Sequence, residues 1–309
     1  MLQTLSRCKA HLLFCFLPLI ALSCQKSGDS KVYRINGSMT LDGWHRTYLL
    51  NLPPDYYDTS GFALVVALHG FGGSAAEMEH DYGITGKANT AHFIVVYPEG
   101  LPSSGPLHLR TWNTGRCCGF SQAVQADDVT FIRTLIDNLT GKYHIDPKKV
   151  YVTGMSNGAM MTYTLACELS DRIAAIAPVS GTIMMSEPCT PARAVPILHI
   201  HSMLDTKVPF DGGYGLGGYY FTPVDSTLGV WAINDSCNTP PQTIVDNGHY
   251  RQTEWKSASG MPAIDLYETY DGGHSWPGGL KPRDQADPPS TAFNATDLIW
   301  EFFQRCTLP

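Results

Sequence analysis

The stretch 150–161 constrains the fold most, because Gly154-Met155-Ser156-Asn157-Gly158 joins a short β-branched and aromatic run to an apolar run. Residues 150–153 predict a buried strand and the run from Ala159 predicts a buried helix, so Ser156 falls on the turn between them. Glycines two residues before and after the serine permit a tight backbone crossing that a Cβ would obstruct. The pentapeptide also arises by chance, so its meaning depends on partners elsewhere in the chain.

Length and charge limit the class of protein. The chain has 309 residues, of which 43% are hydrophobic and 16% charged. This is enough to bury a large core, and we expect one domain rather than two. The formal net charge of −7 disfavours nucleic-acid binding. The sequence has no Walker-type phosphate loop and no His-Glu-x-x-His pair, so it lacks the motifs of phosphate binding and zinc proteolysis.

Residues 1–23 have the pattern of an export signal. Arg7 and Lys9 precede the apolar run 12–22, which is too short to span a bilayer. Cys24 follows small residues and would become the new N-terminus, as lipoprotein processing requires. We predict a removed signal, a lipidated Cys24, a tether over residues 24–36 and a folded domain over 37–309. The protein would be a periplasmic or cell-surface lipoprotein, with ordinary secretion after the same cleavage as the alternative.

Six cysteines follow Cys24, and this even number in an exported chain predicts up to three disulfides of undetermined connectivity. Metal binding is the rival interpretation. Adjacent cysteines lack the Cys-x-x-Cys spacing of a zinc site, and we expect no metal there. His199 and His201 share one face of a predicted strand, but no third ligand is evident, and we expect them to pack at the strand end. The six cysteines are Cys117, Cys118, Cys167, Cys189, Cys237 and Cys306.

A glycine-rich loop is the second candidate for chemistry. The apolar run 63–68 predicts a strand buried on both faces, and His69-Gly70-Phe71-Gly72-Gly73 follows it. Such a loop lets backbone N–H groups point into a cavity, and a tetrahedral oxyanion needs two of these donors. We assign the backbone N–H groups of Phe71 and Asn157 to this role. An ordinary glycine turn is the alternative.

Two further residues follow predicted strands downstream of Ser156. Asp205 comes after the strand predicted over 195–201, and His274 comes after the strand predicted over 263–270. Either would be an ordinary loop residue if it stood alone. In the chain order serine, aspartate, histidine, they form the expected set of nucleophile, acid and base.

Paired acidic residues are also common in active sites, and Asp127-Asp128 is such a pair. Both precede an apolar stripe at helical spacing that ends near Gly141, so we expect a helix cap instead. A second cap is predicted at Asn294, at the start of a closing helix over 293–303.

Aromatic side chains supply the candidate substrate contacts. The segment 210–223 combines tyrosines, including Tyr214, with five glycines, and either lines a cleft or forms a surface loop under which the aromatic rings pack. Trp276 lies two residues after His274 and is either a substrate contact or a packed anchor. Trp112 lies in the long loop 98–119 and is a third candidate.

Together these motifs resemble a known family, the α/β-hydrolase esterases that include poly(3-hydroxybutyrate) depolymerases and the feruloyl and acetylxylan esterases of carbohydrate esterase family 1. The resemblance covers residues 45–305. One departure is Ser202, where the family usually has glycine before the turn with the acid. The matching segments are 68–73, 112–113, 117–119, 127–129, 154–160, 177–181, 199–201, 208–210 and 273–278.

The resemblance implies a single-domain α/β-hydrolase fold, with a mostly parallel central sheet flanked by helices. It also implies cofactor-free and metal-free hydrolysis of carboxylic esters by Ser156, His274 and Asp205, with Phe71 and Asn157 as oxyanion donors. The expected substrates are hydroxycinnamoyl or acyl esters of plant polysaccharide, or hydroxyalkanoate polyester, and the expected state is a monomer. A non-catalytic glycan- or polymer-binding lipoprotein and an acyl transferase that uses an acceptor other than water are the alternatives.

Overall fold

Ten strands of the described chain form one sheet. The computed structural model describes residues 31–237, 240–258 and 262–309, and residues 32–309 form one unit. The predicted signal, Cys24 and the tether up to residue 30 lie outside the described residues. The first strand, β1 (Arg34–Leu41), includes residues 34–36, so these residues belong to the sheet and not to the predicted tether.

Strands and helices alternate along much of the chain. The strands are β1 (Arg34–Leu41), β2 (Trp44–Asn51), β3 (Phe62–Leu68), β4 (Ile94–Pro98), β5 (Leu101–Pro102), β6 (Arg110–Thr111), β7 (Ile145–Met155), β8 (Ala175–Val179), β9 (Ile197–Ser202), β10 (Gly213–Tyr214), β11 (Tyr220–Phe221), β12 (Gln242–Asp246), β13 (Tyr250–Lys256) and β14 (Pro262–Thr269). The helices are α1 (Ala75–Asp81), α2 (Ile84–Ala91), α3 (Gly119–Ala123), α4 (Asp128–Lys142), α5 (Asn157–Glu168), α6 (Val224–Asn234) and α7 (Ala295–Phe303), with a 3₁₀ turn at Leu216–Gly218.

The ten strands lie in the order β1-β2-β4-β3-β7-β8-β9-β14-β13-β12, and the centre of the sheet is parallel. β3 pairs in parallel with β4 and β7, and the parallel pairing continues through β8, β9 and β14. The edges are antiparallel, with β1 and β2 on one side and β13 and β12 on the other. Parallel strands that are covered on both faces appear in the sequence as continuous apolar runs, and these central strands were predicted for that reason. The predicted α/β-hydrolase architecture is confirmed.

Alternate residues of each central strand enter two separate cores. On β3, Val65 and Ala67 pack with α1, α2 and α7, whereas Leu64, Val66 and Leu68 pack with α4, α5 and α6. This division follows from the two-residue period of a strand. Helices on both faces leave the carboxyl ends of the parallel strands as the open edge, where ligands bind in such sheets.

Both predicted helix caps are present. The carboxylate of Asp127 accepts a hydrogen bond from Thr130 N at 2.9 Å, and the side chain of Asn294 accepts one from Asp297 N at 3.0 Å. Each satisfies one of the free N–H groups at its helix start.

Asp128 has a different role from its neighbour. It is fully buried and forms an ion pair with Arg46 at 2.7 Å, and it accepts a hydrogen bond from Asn113 N at 2.8 Å. Burial raises the pKa of Asp128, and the Arg46 charge and the Asn113 amide oppose this shift. The Arg46 guanidinium also lies 3.9 Å from the ring centroid of Phe131. The pair therefore joins β2, the loop before α3 and α4 inside the protein.

Two disulfides occur among the described residues, Cys117–Cys118 and Cys167–Cys189. Cys237 and Cys306 are free thiols. Two bonds among the described cysteines agree with the prediction of up to three. Within the same described ranges, no helix is long and apolar enough to cross a bilayer.

Removing one partner of the buried ion pair is expected to leave the other charge uncompensated. Arg46→Met should reduce the free energy of unfolding in urea by about 3–5 kcal/mol. The control is Arg34→Met, because Arg34 is half exposed and pairs with Glu79 at the surface; we expect a loss of about 0–1 kcal/mol there. Equal small losses in both variants would contradict the role of the buried pair.

The cysteine assignment predicts two free thiols in exported protein of residues 25–309. Alkylation without reduction, followed by peptide mapping, should label Cys237 and Cys306 and recover Cys167 linked to Cys189. Six labelled cysteines in protein from an oxidising compartment would overturn the assignment.

Candidate active site

Ser156 occupies the strained turn that the sequence predicted. Its backbone has φ 57° and ψ −117°, a conformation rare for residues other than glycine. A Cβ on Gly154 would lie 2.5 Å from the Gly158 carbonyl carbon, and a Cβ on Gly158 would lie 2.2 Å from the Leu68 oxygen. Both glycines are therefore required by contact between backbones, which fixes Ser156 at the open edge of the sheet.

The loop after β3 is held by His69. Its Nδ1–H donates to the Gly70 oxygen at 2.7 Å, and its Nε2 accepts from Gly100 N at 3.0 Å. Burial lowers the pKa of His69 to about 4, so the ring is neutral and both nitrogens keep these bonds. Trp112 Nε1 donates to the His69 carbonyl at 2.9 Å and fixes the start of the loop.

Asn157 ties the turn to the loop before α3. Its side-chain oxygen accepts from Trp112 N at 2.7 Å, and its side-chain nitrogen donates to the Trp112 oxygen at 3.0 Å. The Trp112 side chain is fully buried and does not line the cleft. The prediction that Trp112 contacts substrate is wrong, because its ring is buried and its indole N–H holds the His69 carbonyl of the loop after β3.

The two predicted oxyanion donors lie on adjacent segments. A Cβ on Gly70 would be 3.5 Å from Ser156 Cβ, so the loop passes directly beside the serine. Asn157 is the first residue of α5, where helix N–H groups are unpaired. Over the described parts of the chain, neither Phe71 N nor Asn157 N has a hydrogen-bond partner. Both amides are free to donate to a ligand.

Asp205 and His274 meet at the ends of neighbouring strands, β9 and β14. His274 Nδ1 lies 2.7 Å from Asp205 Oδ2, and Asp205 Oδ1 accepts from the amides of Lys207 and Val208 at 2.9 Å each. Burial opposes ionisation of Asp205, but the His274 charge and hydrogen bonds from His201 and His274 outweigh burial and lower the pKa of Asp205. The aspartate is therefore an anion that can stabilise an imidazolium.

One cleft at this edge contains both Ser156 and His274. Among the described residues, their side chains make no direct hydrogen bond, and such contacts are commonly long before a substrate binds. Lys207 is a cleft cation that forms an ion pair with Asp287 at 3.2 Å. The cleft is lined by His69, Gly70, Phe71, Gly73, Glu77, Met78, Asp81, Tyr82, Met155, Ser156, Lys207, Leu216, His274, Ser275, Trp276, Leu280, Pro282, Arg283, Gln285 and Ala286.

The remaining aromatic candidates differ in position. Trp276 lines the cleft but is 98% buried, stacks on Tyr82 at 4.7 Å between ring centroids and donates to Thr296 Oγ1 at 3.0 Å. Tyr214 is 79% exposed, lies outside the cleft lining and packs edge-on against Tyr220. The prediction that Tyr214 contacts substrate is therefore wrong for this cleft, because Tyr214 does not line it.

The segment 210–223 combines both structural alternatives predicted for it. Leu216 lines the cleft, while Phe210 and Phe221 are buried beneath the segment.

Sequence reasoning missed the supports of His274. Asp287 Oδ2 accepts from the His274 amide at 2.8 Å. Asp271 accepts from the hydroxyl of Ser290 and from the amide and hydroxyl of Thr291, the latter two at 2.9 Å each. These acids lie in polar loops without periodicity, so only the proline-rich composition of 277–289 hinted at an ordered loop.

No cluster of three or more metal-ligating side chains occurs within the part of the chain described. His199 and His201 contact each other through hydrogen-bonding nitrogens 3.2 Å apart, inside the protein. They pack at the strand end, as the sequence suggested.

Comparison with known proteins places this chain in a family. The fold defines the class, an α/β hydrolase. A family model described as phospholipase/carboxylesterase matches residues 59–225, more than half of the chain. The chain belongs to this family and is a carboxylic ester hydrolase.

Individual relatives agree with this assignment. The chain is 31% identical over 248 residues to the putative esterase NocK of Nocardia uniformis subsp. tsuyamanensis, covering 72% of this chain and 67% of the relative. It is 29% identical over 238 residues to feruloyl esterase B of Piromyces equi, covering 74% of this chain but only 42% of that protein. The acetyl xylan esterase from Aspergillus awamori shares the fold, with a TM-score of 0.59 at 19% identity over 84% of this chain and 94% of that one.

The buried neutral His69 predicts an acid-sensitive fold. An unfolded histidine takes up a proton below about pH 6.5, whereas folded His69 does so only near pH 4. Unfolding therefore binds a proton in this window, and stability falls as the pH decreases from 6.5 to 4, by about 3 kcal/mol for this group. Urea unfolding of His69→Gln should show a weaker pH dependence over this range.

The control for this experiment is His108→Gln, since His108 is exposed. It should keep the pH dependence of the wild type. An unchanged dependence in His69→Gln would show that this histidine is not the source.

Proposed function

We propose that the protein is a serine esterase in which Ser156 is the nucleophile, His274 the general base and Asp205 the acid that orients it. The main supporting observation is that Ser156, on a strained strand-to-helix turn, shares one cleft with a histidine that is hydrogen-bonded to a buried carboxylate. A neutral His274 accepts the serine proton as the hydroxyl attacks the ester carbon, and Asp205 stabilises the resulting imidazolium.

The oxyanion that forms on the carbonyl oxygen would accept hydrogen bonds from Phe71 N and Asn157 N. Each such donor contributes about 3–4 kcal/mol to transition-state stabilisation. Collapse of the intermediate breaks the ester bond, and His274 returns the proton to the leaving alkoxide. Water then attacks the acyl-serine by the same steps, which releases the acid.

The substrate that we propose is an acyl ester of plant polysaccharide, with a hydroxycinnamoyl acyl group as the first choice. Tyr82 and Trp276 stack on each other in the cleft wall, and such a wall suits a flat aromatic acid. The feruloyl esterase relative supports the same choice. Acetyl esters and hydroxyalkanoate polyester are the second choices, because the apolar side chains Met78, Met155 and Leu280 also line the cleft.

The cellular setting is also part of the proposal. The pattern of residues 1–24 supports export and lipidation at Cys24, and two disulfides in the folded part fit an oxidising compartment. The protein would act as a monomer, without a metal or cofactor, and would contact the membrane only through its N-terminal anchor.

A non-catalytic glycan- or polymer-binding lipoprotein is the alternative. It does not account for the strained Ser156 backbone or for two free amides beside it, since strain of this kind costs free energy and is retained where it serves chemistry. Acyl transfer to an acceptor other than water uses the same residues, and product analysis separates it from hydrolysis.

The nucleophile is tested with Ser156→Ala in protein of residues 25–309. On methyl ferulate, p-nitrophenyl acetate to octanoate, acetylated xylan and hydroxybutyrate oligomers, kcat for the preferred ester should fall by about 10⁵-fold or more. The control Ser38→Ala alters an exposed serine on β1 and should keep full activity.

The acyl group that the wild type cleaves fastest distinguishes the proposed polysaccharide substrates from the polyester substrates. Fluorophosphonate labelling followed by peptide mapping should modify Ser156. Ester cleavage that survives in Ser156→Ala, or label on another residue, would refute the assignment. Absence of cleavage in both proteins would favour the binding alternative.

A further inference from the structure

A chain of hydrogen bonds runs through the protein interior to Asp205. The Tyr163 hydroxyl lies 2.7 Å from His199 Nδ1, and His199 Nε2 lies 3.2 Å from His201 Nδ1. His201 Nε2 then lies 3.3 Å from Asp205 Oδ2 and 2.9 Å from the Val208 oxygen. The proposed esterase mechanism uses only the last carboxylate in this chain.

Along this hydrogen-bonded chain, each donor faces the next residue in one direction, from Tyr163 toward Asp205. His201 Nε2 faces two oxygen acceptors, so it carries a proton. Only one proton fits between His201 Nδ1 and His199 Nε2, and we place it on His199 Nε2, which donates. This leaves the lone pair of His199 on Nδ1, where the Tyr163 hydroxyl donates. Burial lowers the pKa of His199 well below its usual range, and this favours the neutral ring that the arrangement requires.

Every residue of this hydrogen-bonded chain is buried from water. Tyr163 and His199 are fully buried, and His201 is 1% exposed. Hydrogen bonds are stronger in such a low-dielectric interior, and neighbours in a chain polarise one another. Outside this hydrogen-bonded chain, Asp205 contacts His274 and the backbone amide of Lys207, and the ammonium of Lys207 ion-pairs with Asp287.

We propose that His201, held by His199 and Tyr163, is a positioning residue that fixes the orientation and charge of Asp205 toward His274. This inference rests on the proposed serine mechanism. Oδ1 of Asp205 is held by two backbone amides, and His201 is the side chain that shares Oδ2 with His274. The hydrogen bond from His201 Nε2 withdraws negative charge from Asp205 Oδ2. It therefore determines how strongly Asp205 stabilises the imidazolium of His274.

The first test is the pH dependence of kcat/KM for His201→Leu on the ester that the wild type cleaves. Without the donor, Asp205 binds the imidazolium more strongly, and His274 stays protonated to higher pH. We expect the acid limb of the profile to move up by about half a pH unit or more. We expect kcat to fall about tenfold, with KM within about twofold, because substrate binding is not changed.

Two further variants grade the effect. His201→Gln can still donate from its amide and should recover part of kcat and of the pH shift. Tyr163→Phe removes only the first donor and should move the acid limb in the same direction by less. The matched control is Tyr151→Phe, since the Tyr151 hydroxyl is also buried and hydrogen-bonded, at 2.7 Å to the Cys306 oxygen, but does not connect to Asp205. It should alter stability without moving the profile.

Proton NMR supplies a readout that does not need activity. The His274 Nδ1–H bonded to Asp205 should give a downfield resonance that is absent in His274→Ala and displaced in His201→Leu. Loss of activity without a shift of the profile and without displacement of this resonance would overturn the proposal. Wild type that cleaves no ester would refute the proposed function, while the resonance would still decide the inference on His201.

Discussion

The structure depends on the close approach of three backbone segments at the carboxyl end of β3 and β7. Gly154, Gly158 and Leu68 pack so tightly that a single Cβ would have to overlap a carbonyl group. This contact lets α5 begin directly at the end of a buried strand, and it leaves Ser156 with a positive φ. The same contact brings the loop 69–73, which carries the proposed oxyanion donor Phe71, beside the serine. A local steric requirement thus fixes both the proposed nucleophile and the amides proposed to bind the developing negative charge.

The fold was largely predictable because its central strands are buried on both faces. Such strands appear in the sequence as short apolar runs, and the residues that follow them collect at one edge of a parallel sheet. This reasoning predicted that Ser156, Asp205 and His274 approach one another, and the structure brings them to one edge. The two caps, Asp127 and Asn294, were predictable for an equally local reason, since a helix start needs an acceptor beside its first free amides.

The incorrect predictions arise where distant parts of the chain decide the outcome. Trp112 was predicted to contact substrate because aromatic residues in long loops often line clefts. In the structure its amide and indole N–H groups instead donate hydrogen bonds to Asn157 and His69 inside the protein. Asp128 looked like a second capping acid, and only the folded chain reveals its buried partner Arg46, 82 residues away in sequence. Asp287 supports His274 from a polar loop with no periodic pattern. Pairings of this kind have no local signature, so a single sequence does not display them.

Part of the cleft wall comes from segments outside the ten-stranded sheet, whereas the proposed catalytic groups lie at strand ends. Segments 206–223 and 278–292 supply Leu216, Leu280 and Arg283, and both lie outside the ten-stranded sheet. Ser156, Asp205 and His274 instead lie directly at strand ends, within a residue of β7 and a few residues of β9 and β14. Sequence change in these two segments can therefore reshape part of the cleft wall while Ser156, Asp205 and His274 keep their spacing. In evolutionary terms, the fold partly separates the choice of substrate from the proposed chemistry, and two loops can alter specificity while Tyr82 and Trp276 form a wall that stays beside the strand ends.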